Sequence, residues 1–264
     1  MADFMYKIFN EDCIKTLERF KLCGNKFNIV MTSPPYNTAG KSSTSESSRN
    51  NYDSRYDIHM DNMSNGDYCN WCCRIFNLFD STLEKNGVVL WNVSYGNDVK
   101  NKDSIGLMWV AIAEIIKNTP FTVADRIIWK KKSALPNNSS KNKLTRIVED
   151  IFIFCRKDEF TTFDCNKEIS SVGKNGQTFY KNYFNFIEAK NNDGACKLNK
   201  ATYSSELCEQ LLSLYGKEGD LVYDPFNGTG TTGVACKRLG MWYIGSEISS
   251  EQVQYSIDRI NNSK

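Results

Sequence analysis

Short apolar runs alternate with amphipathic helical segments along most of this chain, and this alternation constrains the fold more than any other feature. Strands are predicted at residues 6–9, 27–31, 88–93, 123–129, 147–154, 221–224 and 242–245. Helices are predicted at residues 14–20, 67–83, 105–116, 203–215 and 234–239. Such alternation is typical of a parallel sheet with helices on both faces. We therefore expect an α/β fold with a doubly wound, mostly parallel sheet.

Two stretches interrupt the alternation. Residues 38–65 are rich in Ser, Asn, Asp and Gly, which is typical of a long mobile loop. Residues 160–200 are rich in Asn, Lys and Gly with interleaved aromatic side chains, and we interpret them as an insertion or small subdomain. A chain of 264 residues is long enough for one large α/β domain with such insertions, or for two small domains.

The composition argues against a chain that is basic throughout, a metalloprotein and a membrane protein. A net charge of +2 is close to neutral, so any surface that binds nucleic acid must be local. The ten cysteines include no second C-x-x-C pair and the chain has one histidine, His59, so we predict no metal site and expect reduced, mostly buried thiols. Residues 1–10 lack the apolar core of a signal peptide, and no run approaches the ~18 apolar residues of a membrane span. These features predict a cytoplasmic protein with no membrane partner.

The first candidate site is the stretch Thr32-Ser33-Pro34-Pro35-Tyr36-Asn37, which follows the predicted strand at 27–31. Neither proline donates a backbone N–H, so the chain leaves the sheet in a stiff, extended turn. This turn follows the carboxyl end of a strand, where open α/β sheets bind ligands. The Ser33 hydroxyl, the Tyr36 ring and exposed carbonyls suit a flat, polar ligand such as a nucleobase. The alternative is an ordinary Pro-Pro loop exit with a half-buried tyrosine.

The second candidate site is a glycine-rich turn between a strand and a helix, Asp224-Pro225-Phe226-Asn227-Gly228-Thr229-Gly230. The glycines let the backbone approach a ligand, and the start of the following helix offers free N–H groups. The turn contains no lysine, so it is not a P-loop for nucleotide triphosphates. Glu247 ends the next strand, where an acid binds ribose hydroxyls. A structural glycine turn with an exposed glutamate, and a nicotinamide dinucleotide site, are the alternatives at this point.

Together the two stretches resemble the amino-group DNA methyltransferases that use S-adenosylmethionine. Ser33-Pro34-Pro35-Tyr36 matches the catalytic S/D/N-P-P-Y motif, and Phe226-Asn227-Gly228-Thr229-Gly230 matches the F-x-G-x-G cofactor motif. Their order is that of the permuted subgroup, in which the catalytic motif comes first. The resemblance implies a Rossmann-like methyltransferase sheet, with a catalytic half at 1–159, an irregular target-recognition insertion at 160–200 and a cofactor-binding half at 201–264.

The resemblance also implies a site for S-adenosylmethionine. In it, Asp12 meets the adenine amino group, Glu247 holds the ribose hydroxyls, and the glycine-rich turn lines the methionine part. The implied cofactor-binding residues are Asp12, Asp224, Phe226, Gly228, Thr229, Gly230, Thr231, Thr232 and Glu247. Asp12 fits an ordinary helix N-cap equally well. The chain departs from the family at residues 199–204, where H-x-A-x-x-P is usual, and at Glu11, where glycine is usual.

The implied catalytic residues are Ser33, Pro34, Pro35 and Tyr36. An exocyclic amino group is a poor nucleophile because its lone pair is delocalised into the ring. Hydrogen bonds to Ser33 Oγ and to the Pro34 carbonyl favour a pyramidal nitrogen, which attacks the sulfonium methyl directly, with alignment supplying much of the rate. Tyr36 stacks on the flipped base. In the family that the chain resembles, serine in the first position is commoner among cytosine-N4 enzymes and Asp or Asn among adenine-N6 enzymes, so the resemblance favours cytosine N4 as the target.

Double-stranded DNA is the implied substrate, and the family places target recognition before the glycine motif. The lysines that we predict to contact phosphates are Lys130, Lys132, Lys174 and Lys181, with solvated loops as the alternative. A cognate restriction endonuclease is an implied partner, and monomer and homodimer both stay open. Other classes that fit are an inactive DNA-binding homologue, a nicotinamide-dependent oxidoreductase, and a methyltransferase acting on RNA or on protein amides.

Overall fold

The structure is a computed structural model, and it describes residues 5–37, 63–94, 106–138, 141–194, 198–199 and 202–263. Most of the predicted loop at 38–65 lies outside the described residues. Its last residue, Asn65, is helical rather than looped, because Ser64 caps a helix that begins at Asn65.

Ten strands form the framework of the described residues. They are β1 (Tyr6–Asn10), β2 (Phe27–Thr32), β3 (Leu83–Val93), β4 (Phe121–Lys131), β5 (Val148–Arg156), β6 (Ile169–Val172), β7 (Thr178–Tyr180), β8 (Phe186–Ala189), β9 (Leu221–Asp224) and β10 (Trp242–Glu247). Eight of them form one sheet in the order β1-β10-β9-β2-β3-β5-β4-β8. Within this sheet of eight described strands, β5 alone runs antiparallel to its neighbours. The mostly parallel sheet that the sequence predicts is confirmed.

Six α-helices in the described residues cover the sheet. They are α1 (Cys13–Cys23), α2 (Asn65–Thr82), α3 (Gly106–Asn118), α4 (Ser205–Tyr215), α5 (Thr231–Arg238) and α6 (Ser250–Asn262). Within the described ranges, none of the helices has the length and apolar character needed to cross a membrane.

The helices lie on both faces of the sheet and create two cores. Side chains of α1, α2 and α3 pack in the first core, and side chains of α4, α5 and α6 pack in the second. Successive residues of one strand serve opposite cores: Val30 joins the first and Met31 the second. This burial on both faces explains why the strands are continuous apolar runs in the sequence.

The cysteines are part of these cores. All nine that the structure describes are free thiols, and seven of those nine are buried. Burial raises the pKa of the Cys72 thiol in α2 well above its usual value. Among the described residues, no cluster of His, Cys, Asp or Glu side chains is arranged to hold a metal ion.

Helix α6 has no counterpart in the sequence prediction, because its buried face is largely polar. Gln252, Ser256 and Ile260 form that face. Ser249 caps the helix by accepting a hydrogen bond from the Gln252 N–H at 3.4 Å. A β-carbon added at Gly230 would lie 2.7 Å from Ser256 Cβ. The glycine-rich turn therefore packs directly on α6.

The predicted insertion at 160–200 is more regular than its composition indicates. Strands β6 and β7 form a separate antiparallel hairpin. Strand β8 instead joins the main sheet beside β4, in parallel. Ile187 and Ala189 of β8 are buried in the second core. The last part of the insertion thus belongs to the main sheet, and only the small hairpin forms a sheet of its own.

Strand β2 positions the site, because it pairs with β3 on one side and with β9 on the other. These pairings are parallel, so the carboxyl ends of β2 and β9 meet at the same edge of the sheet. The first motif follows β2 and the second follows β9. Two stretches that are far apart in the sequence thereby become neighbours.

Candidate active site

The first motif forms a rigid corner at the end of β2. Pro34 and Pro35 are buried, while Ser33 and Tyr36 are partly exposed. Ser33 Oγ and the Tyr36 hydroxyl share a hydrogen bond of 2.5 Å. Tyr68 of α2 donates a hydrogen bond of 2.9 Å to the Pro35 carbonyl. The corner is therefore held by its own hydroxyl pair and by helix α2.

The second motif forms a turn that requires left-handed backbone conformations. Gly228 and Gly230 have φ angles of 51° and 77°. Glycine adopts such angles without the steric cost of a β-carbon. Helix α5 begins at Thr231, directly after the second glycine. The free N–H groups of its first turn therefore lie beside the two glycines.

Asp224 joins the two motifs. Its Oδ1 accepts hydrogen bonds from Thr32 Oγ1 at 2.7 Å and from the Phe226 N–H at 3.0 Å. Its Oδ2 accepts one from Thr232 Oγ1 at 2.7 Å and one from the Tyr203 hydroxyl at 3.3 Å. Burial raises the pKa of this carboxyl, and these hydrogen bonds oppose the rise. Because Thr32 immediately precedes Ser33, the carboxylate ties the glycine-rich turn to the Pro-Pro corner.

Both motifs line one open cleft, with a volume of about 900 Å³ that includes solvent. The predicted site residues on its wall are Asp12, Ser33, Pro35, Phe226, Gly228, Thr229, Thr231 and Glu247. Of the predicted catalytic and cofactor-binding residues, all of which the structure describes, five do not line this wall, namely Pro34, Tyr36, Asp224, Gly230 and Thr232. The structure thus brings most of the predicted residues to one surface.

Three residues expected to touch the cofactor lie behind the wall. Asp224 and Thr232 are fully buried and bonded to each other. Gly230 packs against Ser256 of α6. The structure places these residues where they support the turn, and their contact with the methionine part of the cofactor stays a prediction.

Glu247 stands at the end of β10, and both of its carboxylate oxygens accept backbone hydrogen bonds. Oε2 accepts the Gly228 N–H at 2.8 Å, and Oε1 accepts the Ser249 N–H at 2.9 Å. Burial raises the pKa of Glu247, while these backbone hydrogen bonds oppose the rise. A carboxylate oxygen accepts more than one hydrogen bond. Glu247 therefore still has acceptor capacity toward a ligand in the cleft.

Asp12 has two roles in the structure. It caps α1, since its Oδ1 accepts the Ile14 N–H at 2.8 Å. It also lines the cleft. The N-cap interpretation is confirmed, and contact with an adenine stays a prediction.

A comparison with models of protein families finds one that matches most of the chain. The family model described as a DNA methylase matches residues 27–258, which include both motifs and the whole chain between them. The chain belongs to this DNA methylase family. The family inferred from the two motifs is thereby confirmed.

Curated relatives of this chain are Type II methyltransferases. M.Cfr9I from Citrobacter freundii is 29% identical over 165 residues, which are 61% of this chain and 52% of that protein. M.BglII from Bacillus subtilis is 25% identical over 268 residues, which are 94% of this chain and 66% of that protein. The chain thus matches about half the length of M.Cfr9I and about two thirds of M.BglII.

Solved structures share the fold of this chain. The PvuII DNA methyltransferase (cytosine-N4-specific) is similar with a TM-score of 0.72 at 19% identity, over 98% of this chain and 94% of that one. The M1.HpyAVI–SAM complex is similar with a TM-score of 0.63 at 21% identity, over 97% of this chain and 100% of that one. At these identities the likeness establishes the fold, and it confirms the predicted α/β architecture.

Trp71 and Asn199 are among the cleft residues that were not predicted from the sequence. Trp71 of α2 lines the cleft, and its ring centroid lies 5.4 Å from that of Phe226. Asn199 also lines it and donates a hydrogen bond of 3.1 Å to Gln252 Oε1. Trp71 was hidden within the broad apolar face of a helix. Asn199 had a signal, because it stands where the family usually has histidine.

Three of the four lysines predicted to contact DNA are paired with carboxylates. The pairs are Lys130–Glu188, Lys132–Glu206 and Lys181–Glu168. Lys174 lies in the turn between β6 and β7. Exposed ion pairs of this kind stabilise a protein by at most about 1 kcal/mol, so a phosphate can compete for the lysine.

Proposed function

We propose that this chain transfers the methyl group of S-adenosylmethionine to an exocyclic amino group of a base in double-stranded DNA. The observation that carries the proposal is the 2.7 Å hydrogen bond from Thr32 to Asp224, which joins the two motifs beside one cleft. Membership of the DNA methylase family supports the same activity. The relatives M.Cfr9I and M.BglII are Type II methyltransferases, which also supports it.

The side chains of the cleft fit S-adenosylmethionine in chemistry. When bound, this cofactor supplies an electrophilic methyl group on a sulfonium. Glu247 offers acceptors to the ribose hydroxyls, and Asp12 offers one to the adenine amino group. Gly228 lets the methionine part approach the backbone, with Phe226 and Thr231 beside it. The relative M1.HpyAVI was solved in complex with SAM, which supports this assignment.

Ser33 and Pro34 are the groups that we propose act on the target nitrogen. Ser33 Oγ and the Pro34 carbonyl accept hydrogen bonds from the exocyclic amino group, which localises the nitrogen lone pair. Holding the base in this alignment supplies much of the rate. The proton leaves after transfer, so the site needs no strong base. The partly exposed Tyr36 ring stacks on the base once it leaves the duplex.

Cytosine N4 is the proposed target, and adenine N6 is the alternative. The proposal rests on the serine in the first position of the catalytic motif, Ser33. The PvuII enzyme, which has a similar fold, is cytosine-N4-specific. The pair of acceptors described above serves either amino group, so the chemistry of the corner is common to both targets.

DNA contact is proposed for the insertion and for the end of β4. Lys174 and Lys181 lie in or next to the β6–β7 hairpin, and Lys130 and Lys132 lie at the end of β4. Phosphate contacts by these lysines position the duplex without reading its sequence. A cognate restriction endonuclease is the proposed partner within the same system, because the relatives are Type II methyltransferases.

A labelled-methyl assay tests the proposed activity. The protein is incubated with methyl-tritiated S-adenosylmethionine and, separately, with duplex DNA, RNA or total protein. We expect label in DNA only. Label in RNA or protein would assign the enzyme to another substrate class, and absence of label from all three would contradict the proposal.

Calorimetric titration separates the proposed cofactor from a nicotinamide dinucleotide. We expect binding of S-adenosylmethionine and no binding of NAD. Binding of NAD without S-adenosylmethionine would favour the oxidoreductase alternative. Binding of S-adenosylmethionine without methyl transfer would identify an inactive homologue.

A further inference from the structure

Three polar residues meet next to the catalytic corner, at the ends of neighbouring strands. Asn92 lies near the carboxyl end of β3, Glu149 near the amino end of β5, and Lys131 at the carboxyl end of β4. Because β5 is antiparallel and lies between β3 and β4, all three residues lie at one edge of the sheet. Asn92 and Glu149 are only 4% and 7% exposed. Burial of polar groups is costly unless they are hydrogen-bonded, so their contacts are informative.

Asn92 connects the corner to the buried carboxylate. Its Nδ2 donates hydrogen bonds of 3.0 Å to the Tyr36 hydroxyl and to Glu149 Oε2, and it lies 3.4 Å from Ser33 Oγ. Glu149 Oε1 in turn accepts a hydrogen bond from Lys131 Nζ. A continuous hydrogen-bonded path therefore runs from the lysine to the two hydroxyl groups of the corner.

Glu149 fixes the orientation of the Asn92 amide. An ionised carboxylate offers acceptors only, so the amide nitrogen and not the amide oxygen faces it. In this orientation Asn92 Oδ1 is buried and has no hydrogen-bond partner among the described residues. An orphaned acceptor costs stability, and the opposite orientation would set that oxygen against the carboxylate. The orientation that aims the nitrogen at Tyr36 is thus retained in spite of a cost.

We propose that Asn92, Glu149 and Lys131 are positioning residues, which hold the Tyr36 and Ser33 hydroxyl groups in the arrangement that the target amino group needs. The Tyr36 oxygen is fixed between the Asn92 amide and Ser33 Oγ. Ser33 cannot rotate away from the target without losing its 2.5 Å contact with Tyr36. This inference rests on the proposed function and deepens it.

The test compares three variants of the whole chain: Asn92→Asp, Glu149→Gln and the double variant. Asn92→Asp sets two carboxylates against each other, so we expect kcat to fall about tenfold or more. Glu149→Gln removes the charge that orients the amide, and we expect a smaller fall in kcat. In the double variant the carboxylate is at position 92 and the amide is at position 149, so a donor again faces an acceptor. The kcat of the double variant should therefore be higher than that of Asn92→Asp. The KM for S-adenosylmethionine should be unchanged in all three.

Asp150→Asn is the matched control. Asp150 is the next residue of β5, is 4% exposed and accepts a hydrogen bond of 2.6 Å from Arg126 Nε. Adjacent strand residues point to opposite faces of a sheet. We expect this variant to lower the melting temperature and to leave kcat unchanged. A fall in kcat equal to that of Glu149→Gln would show that any lost carboxylate on β5 has the same effect, and would overturn the inference.

A second readout does not depend on methyl transfer. Tyr36→Phe and Glu149→Gln remove groups that are joined through Asn92, so their effects on the free energy of unfolding should be non-additive. If the wild type methylates DNA and the Asn92 and Glu149 variants keep its kcat, the inference is wrong and the proposed function stands. If the wild type transfers no methyl group, the proposed function fails. In that case additive unfolding energies would overturn the inference, and non-additive ones would support it.

Discussion

Asp224 shows at the level of one residue how the site depends on the fold. The side chain is buried, and both carboxylate oxygens accept hydrogen bonds from the protein. A buried carboxylate is tolerated only with such partners. Since one partner is Thr32 and another is the Phe226 N–H, the same carboxylate sets the position of both motifs.

Replacing Asp224 by asparagine should therefore weaken the hydrogen bonds that hold the two motifs together. An amide nitrogen would face donors that now find an acceptor, so we expect the free energy of unfolding to fall by about 1–3 kcal/mol. Affinity for S-adenosylmethionine should fall with it. Chemical denaturation and calorimetric titration measure the two effects. Asp258→Asn, in an exposed part of α6, is the control, and equal behaviour of the two variants would contradict this role of Asp224.

From the raised pKa of Glu247 we expect cofactor binding to depend on pH. Burial raises its pKa above the usual value of 4.5, so the protonated form persists to higher pH than in an exposed glutamate. The ionised form is the better acceptor for ribose hydroxyls, so affinity should be full above the raised pKa and decline as the pH falls through it. Because the pKa of Glu247 is higher in the folded protein than in the unfolded chain, the free energy of unfolding falls as the pH rises from the unfolded to the folded pKa.

Titrations of S-adenosylmethionine at several pH values check this dependence. The variant Glu247→Gln should bind more weakly at neutral pH and lose the decline in affinity at low pH. If the variant and the wild type show the same pH profile, another group is responsible.

At the scale of secondary structure, the glycine-rich turn and helix α6 depend on each other. Gly230 has a φ of 77°, and a β-carbon there would lie 2.7 Å from Ser256 Cβ. Helix α6 therefore packs where only a glycine leaves room. The contact also explains why the buried face of α6 includes a serine instead of a larger apolar residue.

Gly230→Ala should destabilise the protein for two reasons. The left-handed backbone costs about 1–2 kcal/mol for a residue with a β-carbon, and the clash with α6 adds about 1–3 kcal/mol. Gly176→Ala is the matched control, since Gly176 has a φ of 80° and open space around its Cα. Urea denaturation of both variants separates the cost of the left-handed backbone, which both share, from the cost of the clash with α6, which only Gly230→Ala has. Equal losses in the two variants would rule out the predicted packing contribution.

The elements that the sequence predicted are those with a clear apolar pattern. Residues 27–31 and 88–93 are fully apolar or nearly so, and they became the buried strands β2 and β3. Helix α6 was missed because Gln252 and Ser256 occupy its buried face. Strand β8 was missed because its short segment lies in a stretch rich in Asn and Lys.

The candidate site was predictable to the extent that motifs mark it. Ser33, Phe226 and Glu247 belong to recognisable stretches and do line the cleft. Asn92 lies inside an apolar strand and Glu149 is one charge among many, so nothing local singles them out. Their proximity to Tyr36 comes from the pairing of β3 with β5, which is a property of the sheet and not of either segment.

The β6–β7 hairpin is the element to test for contact with DNA. Lys174 lies in its turn, and Lys181 follows β7 and is paired with Glu168. If Lys174 contacts a phosphate, Lys174→Gln should weaken DNA binding for all sequences and reduce the slope of log K against log salt by about 1.

Binding at several salt concentrations, by fluorescence anisotropy, gives that slope. Lys21→Gln in the last turn of α1 is the control, because Lys21 is outside the predicted contact set. An unchanged slope for Lys174→Gln would remove this lysine from the DNA-binding surface.

At the scale of the whole molecule, the sheet pairs strands from the start of the chain with strands from its end. Strand β1, near the start of the chain, pairs with β10, near its end. Strand β2 pairs with β9, so the corner at residues 33–36 meets the turn at residues 226–230. Neither half forms the cleft alone, since Asp12 and Ser33 come from one end of the chain and Phe226 and Glu247 from the other. In the proposed reaction, cofactor and target base therefore meet between the two motifs.

Nucleoside analysis of methylated DNA tests this proposal most directly. Duplex DNA is incubated with S-adenosylmethionine and either the wild type or Ser33→Ala, digested to nucleosides and examined by mass spectrometry. We expect a methyl group on an exocyclic nitrogen, as N4-methylcytosine by the proposed preference, and at least about a hundredfold less of it with Ser33→Ala. N6-methyladenine would change the target base and keep the mechanism. Wild-type levels of methylation with Ser33→Ala, or a methyl group only on a ring carbon, would contradict the central claim.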